Sequence, residues 1–314
     1  MEKPLIVLTG PTAIGKTSLS ISLAKAVNGE IISADSMQVY KHMDIGSAKI
    51  RPEEMKGVPH YLVDVLEPEE EFHIVKFQQM AKAAMEEIYG KGKIPILVGG
   101  TGFYIQAVTR DIDFTEAKQE DAYRSELEAL AEEKGAEYLH EMLQKADPAS
   151  AESIHAHNVK RVIRALEFYH QNGTPISAHN EEQKAQESPY NLVYFVLNGP
   201  REILYDRIDR RVDQMLEEGL VKEVEKLKEM GCHRGMVSMQ GLGYKEILAC
   251  LEGEYPLEEA VRILKRDTRH FAKRQLTWFR REKDVIWVNK EEFNWNEENI
   301  LEYMLSVLRE RGIL

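Results

Sequence analysis

Residues 10–17 read Gly10-Pro11-Thr12-Ala13-Ile14-Gly15-Lys16-Thr17, and two glycines, a lysine and a hydroxyl at this spacing suit the holding of a phosphate chain. Glycine lets the backbone approach an anion, successive N–H groups face it, the ammonium reaches further oxygens, and the threonine hydroxyl can hold Mg²⁺. The implied ligand is a diphosphate or triphosphate. A carboxylate, Asp35, opens Asp35-Ser36-Met37-Gln38-Val39-Tyr40. Three readings of it stand open: a helix cap, a Mg²⁺ ligand acting through water, and a general base. Gly99-Gly100-Thr101-Gly102 either brings backbone and a hydroxyl to a ligand or simply turns the chain. Arg207 and Arg211, four apart on a helix, suit clamping of phosphate oxygens, or form a solvated face with Asp206, Asp209 and Asp213. Gln240-Gly241-Leu242-Gly243-Tyr244-Lys245 combines an amide, a ring and a cation, as a loop reading an unpaired base would, or is an ordinary surface loop. His155 and His157 read as a surface pair. Asn289-Lys290-Glu291-Glu292 only faintly echoes a guanine-recognition motif and is set aside, because its final acid is wrong.

These residues need a scaffold that gathers them. The phosphate-binding stretch lies between an apolar run at 5–8 and a segment at 17–26 with apolar residues at helical spacing, so it joins a buried strand to a helix. Residues 30–35 and 93–100 read as further strands, with a helix over 75–89 between them. Strand and helix alternate, which predicts a mainly parallel sheet whose ligands lie beyond the strands' carboxyl ends. Gly10, Asp35 and Thr101 each fall just past such an end. From 114 to 188 the chain turns charged, helical and strand-poor, with helices over 122–133, 138–144 and 159–170. A strand at 191–198, a helix at 202–217, a glycine-rich loop at 231–243, a basic helical stretch and a strand at 285–288 follow. The expected fold is α/β: a P-loop NTPase-like core from 1–113 and 189–314, interrupted by an all-helical insert at 114–188.

With 314 residues, 43% hydrophobic and 30% charged, the chain can bury a full core, and it reads as globular rather than disordered. No apolar run approaches a membrane span, and the early first strand leaves no room for a signal peptide, so a cytoplasmic protein is expected. Cys232 and Cys250 are isolated, which supports neither a disulfide framework nor a zinc site. The net charge of −12 speaks against nucleic acid, yet Arg262, Lys265, Arg266, Arg269, Lys273, Arg274, Arg280, Arg281 and Lys283 form a basic belt opposed only by Asp267 and Glu282.

Seven stretches together carry a resemblance: G-P-T-A-x-G-K-T at 10–17, D-S-x-Q-x-Y at 35–40, D-I-G-S-A-K at 44–49, V-G-G-T at 98–101, R-x-x-R-A-L-E at 161–167, G-L-G-Y-K-E at 241–246 and T-R-x-F-A-K-R-Q-x-T-W-F-R at 268–280. The chain resembles the bacterial tRNA dimethylallyltransferase family over essentially its whole length, without the zinc finger of eukaryotic relatives. The resemblance implies transfer of a dimethylallyl group from dimethylallyl diphosphate to N6 of the adenosine 3′ of the anticodon in tRNA, with Mg²⁺; a monomer is expected, though the sequence itself carries no signal for oligomeric state. It assigns Gly10 to Thr17 and Arg211 to the diphosphate, Thr17 and Asp35 to Mg²⁺, and Asp35, Thr101, Lys16 and Arg211 to catalysis, with Asp35 now favoured as the base. It assigns tRNA contacts to Asp35, Ser36, Met37, Gln38, Thr101 and Arg124, to Lys160, Arg161, Val162, Ile163 and Arg164, and to Gln240 through Lys245. A P-loop kinase of a small molecule or nucleotide, and a nucleotide-switched RNA-binding protein, share the loop. Neither accounts for the insert, the basic belt and the missing base-recognition motif together.

Overall fold

The computed structural model describes residues 2–114 and 121–314; residues 115–120 of the expected insert lie outside them. The chain forms two compact units, residues 1–109 with 189–314, and residues 110–188.

The first unit begins β1 (Lys3–Thr9), α1 (Lys16–Ala26), β2 (Gly29–Ala34), β3 (His60–Tyr61), α2 (Ile74–Gly90), β4 (Ile94–Gly99) and α3 (Gly102–Thr109). The helical unit contributes α4 (Asp121–Lys134), α5 (Ala136–Ala146), α6 (Pro148–Ser153), α7 (Val159–Asn172) and α8 (Ile176–Ala185). The first unit then resumes with β5 (Tyr190–Asn198), α9 (Arg201–Glu218), α10 (Leu220–Glu229), α11 (Tyr244–Leu251), α12 (Leu257–Phe279), β6 (Val285–Asn289) and α13 (Glu297–Glu310). The expected strands and helices are present, and β3, two residues long, had no readable pattern. Within the expected glycine-rich loop, Ser238–Gln240 forms a turn of 3₁₀ helix.

All described strands pair in parallel, in the order β3-β2-β4-β1-β5-β6. Ile6 faces Ile96 on one side and Val193 on the other. Leu5 to Leu8 are all fully buried, because a central parallel strand is covered on both faces and needs an unbroken apolar run. Leu5 and Val7 enter one core with α2, α3 and α10 to α12, while Ile6 and Leu8 enter another with α1 and α13. Each such side chain contributes about 1.5–3 kcal/mol relative to exposure. Because every strand runs the same way, the carboxyl ends of β1, β2 and β4 open on one edge. No helix among the described residues is long and apolar enough to cross a membrane.

The helical unit has its own core, in which Leu139 and Leu143 of α5 pack with Val162, Ile163 and Leu166 of α7 and Leu127 of α4. Asp147 ties it together. Its carboxylate accepts from Ser150 N–H (3.0 Å) and Ser177 N–H (3.0 Å) and from both serine hydroxyls (2.7 and 2.6 Å), capping α6 and anchoring the start of α8.

Candidate active site

The loop 10–15 leaves β1 at a point where only glycine fits. At Gly10, with φ +147°, a Cβ would stand 2.6 Å from the Leu197 carbonyl of β5. The strand ends are locked together by Thr9 Oγ1 donating to the Gly99 carbonyl (2.6 Å) and Thr101 N–H to the Ala34 carbonyl (3.3 Å). Two further bonds come from far along the chain: Gln275 of α12, 5% exposed, accepts from Thr12 N–H (2.9 Å) and donates to the Gly100 carbonyl (3.0 Å). One amide thus joins the phosphate loop to the end of β4.

Inside the loop, Lys16 Nζ donates to the Gly10 and Pro11 carbonyls, each at 2.9 Å. Arg211 Nη1 donates to Thr12 Oγ1 at 3.4 Å. Desolvation lowers the pKa of Lys16 to about 7, with Arg211 adding to the effect and Asp35 opposing it. Loss of water also holds Arg211 below its usual value, again against Asp35. Two cations crowded at one place with one carboxylate leave a site short of negative charge. An anion there relieves both, and the first N–H groups of α1 face it without helical partners. Thr12 N–H and Ile14 N–H are already engaged, by Gln275 and by the Pro11 carbonyl (3.4 Å). In this arrangement Thr12 offers its hydroxyl, while Ile14 is fully buried.

Asp35 follows β2, and its Oδ1 accepts from Met37 N–H (2.8 Å) and Gln38 N–H (3.3 Å). It therefore closes a turn rather than capping a helix, which revises the first of its three readings. Two cavities meet at this carboxylate. One, about 550 Å³, is lined by Gly15, Lys16, Thr17, Gln38, Arg207 and Arg210. The other, about 420 Å³, is lined largely by apolar side chains, among them Met37, Phe72, Tyr104, Met215, Leu264 and Phe271. Thr12, Ala13, Asp35, Ser47 and Arg211 line both. Ser36, Thr101, Gln240, Gly241, Leu242 and Lys245 also border the apolar cavity.

Other expected site residues stand elsewhere. Tyr244 is fully buried, donates its O–H to Glu223 (2.8 Å) and accepts from Ser47 N–H (3.1 Å). It is a strut, not a platform for a base, and burial with the Glu223 charge raises its pKa well above the usual value. Gly243, also buried, begins α11 with its N–H donated to Glu246 (2.8 Å). The Glu223 carboxylate also accepts from the N–H groups of Asp44, Ile45 and Gly46 (2.8–3.0 Å), so Tyr244 and Glu223 hold the Gly46-Ser47 wall of the apolar cavity. In the helical unit Val162 and Ile163 are core residues at 0% and 3% exposure, so their side chains do not meet RNA. Lys160, Arg161 and Arg164, on the same helix, are exposed. Arg124 makes two bonds of 2.9 Å to Glu167. The basic belt is partly neutralised within the fold: Lys265 pairs with Asp213, Arg266 with Asp267, and Arg269 with Asp209. Lys273, Arg274, His270, Trp278 and Arg281 instead line a basic hollow of about 430 Å³ along the end of α12 and just beyond it.

Comparison with known proteins agrees with this geometry. The family model described as IPP transferase matches residues 38–282. A tRNA dimethylallyltransferase of Lachnoclostridium phytofermentans is 64% identical over 312 residues, covering 99% of each chain. Among solved structures, the full-length tRNA isopentenylpyrophosphate transferase of Bacillus halodurans is 45% identical with a TM-score of 0.74, covering 99% of this chain and 98% of that one. A eukaryotic dimethylallyltransferase acting on tRNA is 32% identical with a TM-score of 0.80, covering 91% of this chain and 74% of that one. This chain belongs to the IPP transferase family.

Proposed function

We infer that the protein transfers a dimethylallyl group from dimethylallyl diphosphate to N6 of the adenosine immediately 3′ of the anticodon in tRNA, releasing diphosphate. The observation that carries this reading is the meeting of a cation-rich cavity and an apolar cavity at Thr12, Asp35 and Arg211. A prenyl diphosphate has the same division, with charge at one end and hydrocarbon at the other. In the reaction the C1–O bond of the prenyl diphosphate breaks, its electron pair leaves with diphosphate, and a C1–N6 bond forms. N6 then loses its proton to Asp35. The amine is a weak nucleophile because its lone pair is delocalised into the ring, so a placed carboxylate assists as the bond forms. Lys16, Arg211 and the N–H groups opening α1 stabilise the charge developing on the departing oxygen. Thr101, on the apolar cavity, contacts the target nucleotide, which leaves its stacked loop to enter.

Mg²⁺ fits the donors present. Thr17 offers a hydroxyl and Asp35 a carboxylate on one cavity, and Mg²⁺ typically takes one or two carboxylates with waters and substrate phosphates. When bound it supplies charge neutralisation on the diphosphate oxygens. Incubating an anticodon stem-loop RNA with the protein, Mg²⁺ and dimethylallyl diphosphate, followed by mass spectrometry, tests the reading. The RNA gains one dimethylallyl group; an unchanged mass overturns it.

Two expectations attach to charge. With a pKa near 7 in the free protein, Lys16 is partly neutral just above neutrality, and a bound diphosphate draws it fully charged. Binding of pyrophosphate therefore takes up protons above about pH 7, and affinity falls by at most about tenfold per pH unit. Below that pH the lysine is already charged and its uptake fades. Calorimetry in two buffers of different ionisation enthalpy measures the uptake, and its Lys16 component disappears in Lys16→Ala. RNA binding should weaken with salt despite the net charge of −12. Replacing Lys273, Arg274 and Arg281 together by Ala should lower the log–log slope by about 0.7–0.9 for each RNA phosphate that is no longer neutralised. The same exchange at Arg266 and Arg269, which face Asp267 and Asp209, should change it less. Equal effects at both sets count against the basic hollow as the RNA-binding surface.

A further inference from the structure

The stretch Asn289-Lys290-Glu291-Glu292 begins at the last residue of β6 and carries no guanine-recognition chemistry, yet its lysine reaches the phosphate loop. Lys290 is 2% exposed. Its Nζ donates to the Ile14 carbonyl at 3.3 Å and lies 3.6 Å from Glu297 Oε1. That Glu297 oxygen accepts from Ser18 Oγ at 2.7 Å, in the first turn of α1. The ammonium also sits 5.6 Å from the centre of the Trp295 ring, whose other neighbour is the Arg207 guanidinium at 4.7 Å. A Cβ built on Gly15, where φ is +91°, would stand 3.1 Å from Nζ. The lysine is therefore packed against the back of the loop.

A lysine is rarely buried this deeply unless well paired, and here its acid partner stands beyond hydrogen-bond distance. Burial lowers its pKa; Glu297 opposes the shift and Arg207 adds to it. As a purely structural device it is a poor choice, since a buried charge costs desolvation that an apolar side chain of similar volume avoids. Its geometry offers another reason. In a planar trans peptide the C=O and the following N–H point in opposite directions. A carbonyl of Ile14 held toward Lys290 aims the Gly15 N–H the other way, into the hollow that Gly15 shares with Lys16 and Thr17.

We propose that Lys290 is a positioning residue for the diphosphate: it fixes the Ile14–Gly15 peptide with its N–H toward the anion and sets a buried positive charge behind the loop. This rests on the reading of loop 10–17 as the diphosphate site. Its effect falls on holding the charged end of the substrate and on nothing that touches the RNA.

The test is calorimetric titration of inorganic pyrophosphate, with Mg²⁺ present, into the full chain and into Lys290→Met and Lys290→Gln, alongside thermal unfolding and steady-state kinetics. Lys290→Met is expected to bind pyrophosphate at least about tenfold more weakly, because a buried charge and an aligned donor disappear together. KM for dimethylallyl diphosphate should rise in parallel, with KM for RNA within about twofold and the unfolding temperature unchanged or higher. Lys290→Gln keeps a donor but not the charge and should fall between the two. A folded variant that binds pyrophosphate within twofold of the unaltered protein overturns the proposal. Failure of both variants to fold overturns it as well, since the lysine would then be structural. If the unaltered protein binds no pyrophosphate, the diphosphate reading of the loop itself falls, and the proposal with it.

Discussion

Asp35→Asn is expected to lower the turnover of dimethylallyl transfer by about 10²–10⁴-fold, the usual loss on removing a general base, while both substrates still bind. The turn it closes explains why this exchange is informative. Both backbone bonds are accepted by Oδ1, and asparagine keeps an amide oxygen that can make them, so the substitution removes charge and leaves shape. Steady-state kinetics and circular dichroism of the variant distinguish the roles. Normal turnover with an altered Mg²⁺ requirement would favour a metal ligand, and a misfolded variant would reduce Asp35 to its part in the turn. Removing the carboxylate also takes away the one charge that opposes the pKa lowering at Lys16 and Arg211. The proton uptake on binding pyrophosphate should accordingly grow in this variant.

Lys16→Ala and Thr17→Ala are each expected to reduce the transfer rate by about 10²–10³-fold, the size seen when one donor to a developing oxyanion is removed. RNA affinity should stay close to that of the unaltered protein, because neither side chain borders the apolar cavity. Single-turnover rates with RNA binding measured in parallel give both numbers. A wild-type rate in either variant would remove loop 10–17 from the catalytic centre. Thr17 is exposed on the surface of α1, so its loss has little to disturb in the fold.

Much of this site is written locally in the chain. The phosphate loop is eight consecutive residues between an apolar run and a helical pattern, and Asp35 and Thr101 each follow a strand whose direction the alternation dictates. What the resemblance did not supply was the facing of side chains inside a recognised stretch. In 160–164 the cations face water and Val162 and Ile163 face Leu139 and Leu143, as the helical period demands; the resemblance assigned the whole stretch to RNA. Tyr244, between glycines and a lysine, has the same neighbours whether it stacks on a base or locks a loop, and only its bond to Glu223, twenty-one residues away, decides. Gln275 and Lys290 reach the phosphate loop across separations of 263 and 276 residues, and no pattern at short range encodes that. The apolar lining of the second cavity was illegible for another reason. Phe72, Tyr104 and Leu264 belong to the main core as well, so their composition is that of any interior.

The place of β1 in the sheet bears on how the protein is made. Its partners are β4 and β5, so Ile6 waits for residue 96 on one side and residue 193 on the other. As the chain leaves the ribosome, β1 carries four fully apolar residues and two unpaired edges, and the second edge stays open until β5 has emerged. Helices of the 110–188 unit, whose partners lie close in sequence, can form during that wait. The phosphate loop is completed only when Gln275 and Lys290, made much later, arrive. A nascent chain stalled before that point exposes a sticky strand and an unfinished binding loop, which makes this stage the one where a chaperone has most to cover.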